Sequence, residues 1–449
     1  MSDVAGKRIL VVGLGASGFS VARTLAALDA KVRVTESGRG PAIEERAELL
    51  RAAGIEVETG GHDLAGIDGD LVVVSPGVPP DAPIVAGAAA AGIELIGEIE
   101  LAFRLAPGRD FLAVTGTNGK TTTTTLLAAM LGEAGVPSVA AGNIGLPLID
   151  AIASVPEGGA IAVEVSSFQL ATIESFRPRV AVLLNVAEDH TDWHGSRRDY
   201  VTAKERIVEN QLDDDVFVFN AEDEKARDIA ARAPGRTVPF SALEAIDAGM
   251  AVSAGRITWM GREVMRAADV PLAGRAGLED GLAAAAAALS FGLDVAPVVR
   301  AIKGFRALPH RLEVVAEAEG ITYIDDSKAT NPHATLSAVA GLSDVVLIAG
   351  GRAKGIDLSS LRSTVPPVIA VIALGESTPE IIALFDDRVP VVAATDMVDA
   401  VEKARGLSVI GGSVLLSPGC ASLDMYESYA QRGEHFARAV RDAVEGSSS

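Results

Sequence analysis

Short β-branched runs ending in glycine, proline or aspartate alternate along this chain with alanine- and leucine-rich stretches of helical length, from "RILVVGLGASG" at residues 8–18 to "SVLLSPGCASLD" at 413–424. Uniformly apolar strands of this kind are buried on both faces, which calls for parallel sheets flanked by helices, so the class is α/β. A chain of 449 residues exceeds what one hydrophobic core supports. The runs fall into three sets. The first holds "RILVVGLGASG", "KVRVTES" and "DLVVVSPGVPP". The second opens at "DFLAVTGTNGK" and runs through "AIAVEVSSFQL", "RVAVLLNVAEDH" and "DVFVFNAED". The third contains "ITYIDDSKATNP", "VVLIAGGRAKG", "VIALGES" and "SVLLSPGCASLD". Three α/β domains are expected, at residues 1–98, 99–307 and 308–449, with the chemistry beyond the carboxyl ends of the strands.

Charge narrows the partners. Lysine and arginine number 39 against 60 acidic residues, a net charge of −21, which argues against broad contact with nucleic acid or an anionic membrane. An anionic ligand must then be held by local devices such as helix N-termini and single lysines. Cys420 is the only cysteine, so no internal disulfide or cysteine-built metal site is available, and a cytoplasmic location is expected. The run from Leu282 to Leu293 is short of the ~20 apolar residues a membrane span needs, and no span is expected.

Gly13, Gly15 and Gly18 in "VVGLGASG" fit G-x-G-x-x-G between a strand and a helix, with Glu36 ending the next strand. Alone this reads as a site for NAD or FAD, yet the physics asks only that backbone amides approach a diphosphate, so any nucleotide diphosphate would serve. "SPG" at Ser75, Pro76 and Gly77 adds a close-approach turn on the same sheet edge.

"FLAVTGTNGKTTTTTLL" at 111–127 has strand, glycine turn, lysine and helix in phosphate-loop order, but Val114 stands where the first glycine of G-x-x-x-x-G-K-[ST] belongs. The arrangement survives if Gly116 makes the turn instead. Amides from Gly116 through Thr117, Asn118 and Gly119 to Thr121 and Thr122 would wrap a triphosphate, with Lys120 neutralising it and the Thr121 hydroxyl facing magnesium. The later threonines are given no chemistry. Glu164 closes "IAVEVSS", where a carboxylate meets such an ion, and Asp189, His190 and His194 cluster after the following strand.

Taken together, "GTNGKTT", "GNIGLP" at 142–147, "EVSSFQL", "NVAEDH", "PHR" at 309–311, "DDSKATNP" and "LSPGCASLDMY" resemble the Mur ligase family through all three sets of runs. The resemblance implies a Rossmann-like first domain, a central P-loop ATPase-type parallel sheet and a Rossmann-like C-terminal domain. It implies an ATP-dependent ligase of peptidoglycan precursor synthesis, in which a carboxylate is phosphorylated and then attacked by an amine. The D-glutamate-adding branch is favoured by "SPGCASLD", so the expected small-molecule substrates are UDP-N-acetylmuramoyl-L-alanine and D-glutamate, on a monomer.

By the same carry-over Lys120, His190, Lys204 and Lys328 are the catalytic candidates. Thr121, Glu164, His190 and Lys204 are the candidates at Mg2+, with Lys204 of "YVTAKERIVEN" bearing a carbamate. ATP would also meet Arg311 and Asp326. The UDP substrate would meet Gly15, Ala16, Ser17, Glu36, Ser37, Ser75, Pro76, Gly77 and Asn143, and D-glutamate Thr330, Lys354, Ser422 and Tyr429. The chain departs from the family where a His-Asn pair and a further asparagine are usual near adenine: Ala276, Gly277 and Asp280 stand there. Two rival readings, a nicotinamide or flavin oxidoreductase and a non-enzymatic ATP switch, predict respectively cofactor binding and ATP binding without substrate-dependent phosphate release.

Overall fold

The structure is a computed structural model and describes residues 4–62, 67–187, 189, 191–272, 274–306 and 308–445. The first sheet comprises β1 (Arg8–Val12), β2 (Lys31–Glu36), β3 (Glu56–Thr59), β4 (Leu71–Val74) and β5 (Leu95–Gly97), all parallel, in the order β3-β2-β1-β4-β5. The order reverses between β1 and β4. Both the glycine turn after β1 and the Ser75–Gly77 turn after β4 emerge at that switch point, where open α/β sheets bind ligands.

The second sheet holds β6 (Asp110–Thr115), β7 (Ser138–Gly142), β8 (Ala160–Glu164), β9 (Val180–Leu183), β10 (Val216–Asn220), β11 (Arg236–Ser241), β12 (Met250–Ser253), β13 (Arg256–Trp259) and β14 (Arg262–Arg266). Its order is β14-β13-β12-β11-β10-β9-β6-β8-β7. β6 therefore sits between β8 and β9, which brings the phosphate loop, Glu164 and the "NVAEDH" segment to one edge. The sheet is not parallel throughout: β12, β13 and β14 form an antiparallel meander. These strands mix buried with half-buried and exposed residues, so they lack the uniformly apolar runs by which the parallel strands are recognised.

The third sheet, β15 (Glu313–Ala318), β16 (Ile321–Asp325), β17 (Val345–Ala349), β18 (Val368–Ala373), β19 (Val391–Ala393) and β20 (Ser413–Leu416), runs β15-β16-β20-β17-β18-β19 with β15 antiparallel at the edge. The carboxyl ends of β16, β20 and β17 are neighbours, so "DDSKATNP", "SPGCASLD" and "GGRAKG" open onto one rim.

Each sheet is covered on both faces. One core is continuous from the first sheet to the second through Ile99, Leu101 and Ala102 of the helix Glu98–Leu105. The helix Gly274–Phe291 fills the opposite face of the second sheet with alanines, whose small side chains let it lie close to the helix Lys120–Glu133. Among the described residues no helix is long and apolar enough to cross a membrane.

Candidate active site

The phosphate loop is built by packing and by one asparagine. Gly119 adopts φ +84°, and a Cβ there would stand 2.1 Å from Asp280 Oδ1. The left-handed residue is thus Gly119 rather than the expected Gly116, which is needed instead for close approach: its Cβ would meet Leu184 Cβ at 2.9 Å. Asn185 Oδ1 accepts from the amides of Thr117 (3.0 Å) and Asn118 (2.9 Å), and the Thr117 hydroxyl meets the Tyr200 hydroxyl at 3.0 Å. These two amides, expected to wrap a triphosphate, are thus engaged by Asn185, which braces the loop, while Thr121 and Thr122 stand in the first turn of the helix that follows. Thr124 and Thr125 hydroxyls are buried with no partner among the described residues, so they serve packing, while Thr123 lies beside the Asp280 carboxyl.

Two amines converge on one carbonyl. Lys120 Nζ donates to Gly116 O (2.9 Å) and Thr117 O (2.8 Å), and Lys204 Nζ donates to the same Gly116 O at 2.7 Å. Lys204 is buried, with its ammonium 4.7 Å from the Tyr200 ring centroid and no ion pair among the described residues. Burial first, and the Lys120 charge second, hold its pKa well below the usual lysine value, so the neutral amine is favoured. Burial also lowers the Lys120 pKa.

Glu164 supplies the complementary charge. Its Oε1 accepts from Asn143 Nδ2 at 2.8 Å, while Oε2 is buried without a hydrogen-bond partner among the described residues. An orphaned carboxylate oxygen beside Thr121 and Lys204 in one cleft is the arrangement a hard cation satisfies, and the oxygen donors suit magnesium. Asp189 Oδ2 accepts from Asn331 Nδ2 at 3.1 Å. His190 lies outside the described residues. His194 is drawn into an aromatic cluster, stacked on Phe168 at 5.4 Å, with its Nε2 2.9 Å from Ser167 Oγ.

The third domain closes the cleft. An Arg311 guanidinium nitrogen donates to Thr121 Oγ1 at 2.7 Å across the domain border. Asp326 accepts from Ser417 Oγ (2.8 Å) and the Leu312 amide (3.3 Å); burial pushes its carboxyl up to about 7. Lys328 Nζ stands 3.8 Å over the Tyr429 ring, and burial together with Arg311 brings its pKa down to about 8. The resulting cleft, about 820 Å³, is lined from the second domain by the phosphate loop, Glu164 and Lys204 and from the third by Arg311, Asp326, Lys328, Thr330 and Tyr429. Lys354 and Ser422 are not among its lining residues. They belong to the adjacent loops joined by reciprocal Arg352 and Ala421 backbone bonds of 2.8 and 3.0 Å.

At the first sheet, Gly15 caps the helix Ala16–Ala27, which carries Ala16 and Ser17 in its first turn. A Cβ on Gly18 would lie 1.9 Å from Gly13 O, so this glycine permits strand–helix contact. Glu36 is committed to the loop itself: Oε2 accepts from the Leu14 amide and Oε1 from the Gly38 amide, both at 2.7 Å, with Ser37 Oγ 3.4 Å from Oε1. Ser75 Oγ is 3.4 Å from Gly13 O, which joins the Ser75–Pro76–Gly77 turn to the glycine loop. Asn143 both donates to Glu164 and, through its amide, binds Glu164 O at 2.9 Å.

Sequence reasoning passed over Asn185, Tyr200, Asn331 and His333, although all but His333 lie inside quoted motifs. The tandem use of Asn185 on two loop amides has no one-dimensional signature. Asp280, noted only as a departure, is buried against Gly119, and burial with Glu279 nearby pushes its pKa well up.

A phosphate loop, a carboxylate with a free oxygen, and basic groups delivered by a second domain define a nucleotide-triphosphate-using enzyme of multidomain α/β type. Residues 7–97 match the Mur ligase MurD-like N-terminal domain, 114–288 the Mur ligase middle domain and 310–420 the Mur ligase glutamate ligase domain. The chain is 44% identical to the UDP-N-acetylmuramoylalanine--D-glutamate ligase of Frankia casuarinae over 446 residues, covering 97% of this chain and 94% of that one. It is 41% identical to the same-named protein of Acidobacterium capsulatum, covering 97% and 96%. Among solved structures it resembles MurF from Acinetobacter baumannii (TM-score 0.61, 18% identity, 92% and 90% covered). It also resembles the UDP-N-acetylmuramate-alanine ligase of Thermotoga maritima (TM-score 0.59, 20% identity, 97% and 100% covered). The chain belongs to the Mur ligase family.

Proposed function

We propose that this protein joins D-glutamate to UDP-N-acetylmuramoyl-L-alanine at the expense of ATP, in peptidoglycan precursor synthesis. The observation that carries the reading is the convergence in one cleft of Lys120, Thr121, Glu164 and Lys204 from the middle domain with Arg311, Asp326 and Lys328 from the third. The full-length likeness to D-glutamate ligases selects the amino acid.

A carboxylate is a poor electrophile and is repelled by a polyphosphate, so both charges must be offset before they meet. Lys120, Lys328 and Arg311 do this around the phosphate loop, whose Thr117 and Asn118 amides are held by Asn185 Oδ1. Magnesium held by Thr121, Glu164 and carbamylated Lys204, with His190, supplies further neutralisation when bound. The substrate carboxylate oxygen takes the γ-phosphoryl group as its bond to ADP breaks. The D-glutamate nitrogen then attacks the carbonyl carbon, phosphate leaves, and the nitrogen gives up a proton. Lys204 suits carbamylation because its depressed pKa leaves an amine free to add carbon dioxide.

Residues 1–98 hold the UDP end at the β1/β4 switch point, 99–307 the ATP, and 308–449 the D-glutamate near Thr330, Lys354, Ser422 and Tyr429. The protein acts as a monomer on this reading, and its nucleotide-linked substrates are cytoplasmic molecules. The test is phosphate release with Mg-ATP and UDP-N-acetylmuramoyl-L-alanine. Release is expected with D-glutamate and not with L-glutamate or glycine, together with a new amide by mass; turnover indifferent to the amino acid would overturn the proposal.

A further inference from the structure

Beyond the phosphate loop the cleft continues between the middle-domain wall at Leu272, Ala276 and Gly277 and the third-domain helix Pro332–Val339. The middle domain offers little free polarity there. Ala276 and Gly277 carry no side-chain donor, and a Cβ on Gly277 would stand 2.7 Å from Leu272 Cβ, so that position has no room for one. The nearby carboxylates are engaged. Glu222 accepts from Ser241 Oγ and the amides of Ala242 and Leu243 and pairs with Arg275. Asp223 caps the helix Glu224–Ala230 and binds the Val186 amide.

His333 faces this wall from the third domain. Its Nδ1 is 2.8 Å from Asn118 Nδ2, in the phosphate loop, and Asn118 Oδ1 in turn lies 3.5 Å from Asn331 Nδ2. This pairing sets the tautomer: an amide nitrogen donates, so Nδ1 accepts and the ring proton is on Nε2. Nε2 makes no hydrogen bond among the described residues and is not sealed from the cleft. Burial holds the imidazole pKa below its usual value, which keeps the ring in this neutral donor form.

We propose that His333 is a nucleotide-contacting residue, donating from Nε2 to the ribose and α-phosphate part of ATP while Nδ1 stays on Asn118. The assignment rests on reading the cleft as the ATP site. It follows from position: His333 stands between the loop that takes the polyphosphate and the apolar slot of Leu272, Ala276 and Leu336, which suits a purine. Because this donor comes from the third domain, part of the nucleotide affinity depends on that domain being docked.

The test is equilibrium binding of ATP, ADP and inorganic tripolyphosphate to the full chain and to H333A, H333N and H333Q, with thermal unfolding of each. Asparagine can reproduce a group at Nδ1, whereas glutamine carries its amide nitrogen out toward Nε2. Loss of one hydrogen bond predicts roughly tenfold weaker ATP and ADP binding in H333A and H333N, with H333Q retaining affinity within about threefold. Tripolyphosphate affinity stays unchanged in all three. Unaltered ATP affinity in H333A, or a parallel loss for tripolyphosphate, overturns the proposal, since His333 would then act on nothing or only through Asn118. If H333A does not fold, the contrast between H333N and H333Q decides. Wild-type protein that bound neither ATP nor ADP would overturn the reading of the cleft itself, and this assignment with it.

Discussion

Lys328 makes the phosphate chemistry sensitive to pH in a direction the structure fixes. Its ammonium is partly buried over the Tyr429 ring with Arg311 nearby, and its pKa falls from 10.5 to about 8. A lysine is cationic below its pKa, so the charge that helps hold ATP is present at pH 7 and is lost as pH rises through about 8. One unit above that pKa, about a tenth of the free enzyme keeps the cation, where an ordinary lysine would keep nearly all of it. The assay is initial-rate kinetics from pH 6.5 to 10 at saturating D-glutamate and UDP substrate. kcat/KM for ATP, which reports groups of the free enzyme, is expected to fall with an apparent pKa near 8. In kcat the fall should come at higher pH, because a bound polyanion favours the ammonium. Lys328→Arg removes the titrating group, since a guanidinium stays charged throughout, so its kcat/KM limb should move out of the range even as the absolute rate drops. A wild-type profile flat to the alkaline end, or a limb unchanged in K328R, would refute the reasoning.

Three further outcomes follow from the buried charges. With 13C-labelled bicarbonate, the wild type should show a carbamate carbonyl resonance that Lys204→Gln lacks, with ligase activity falling by about two orders of magnitude and ADP affinity changing little; an identical resonance in K204Q would place the carbamate elsewhere. Asp280 is pushed toward its protonated form, so Asp280→Asn replaces one neutral group by another and should hold Tm within about 2 °C. A loss of ATP affinity beyond about tenfold in D280N would mean that the carboxylate acts ionised. Glu98, buried where the first two domains meet, accepts from the Ile149 amide at 2.7 Å and has its pKa raised from 4.5 to about 7. Its contribution to stability is full below pH 4.5 and is lost as pH rises through about 7, a change of about 3 kcal/mol. Urea unfolding across that window should show the slope in the wild type and a flatter one in Glu98→Gln.

The α/β class and the central strands of the three sheets were legible because fully buried parallel strands need unbroken apolar runs, and those runs stand out in the sequence. The β12–β14 meander was not, since short, partly exposed strands with charged residues such as Arg256, Arg262 and Glu263 read as loop. At the site, residues whose own type at or just after a strand end carries the signal, such as Lys120, Glu164 and Lys328, could be named in advance as sharing one cleft. Glu36 shows the limit of that logic: a carboxylate in the place for a ribose contact spends both oxygens on the amides of Leu14 and Gly38. Asn185 and His333 became visible only in three dimensions, because their significance lies in what they touch, 67 and 215 residues away at Asn118.

Arg432 explains how the third domain presents two chemistries at once. Its guanidinium is buried with no ion pair among the described residues, and burial lowers its pKa to about 10. All three nitrogens are nonetheless used: Nε on Ser327 Oγ (2.9 Å), Nη2 on Ser327 O (2.7 Å) and Nη1 on Cys420 O (3.1 Å), while Ser327 Oγ donates to Tyr429 O at 2.8 Å. Ser327 separates Asp326 from Lys328, and Cys420 is two residues from Ser422. One side chain therefore ties the rim of β16, proposed for the nucleotide, to the rim of β20, proposed for the amino acid. A buried arginine is costly to place without hydrogen-bond partners, and here the three bonds it makes require both rims to be in register. It follows that the Asp326–Lys328 and Cys420–Ser422 segments move as one body, so docking that brings Arg311 onto Thr121 would also deliver the rim proposed for D-glutamate.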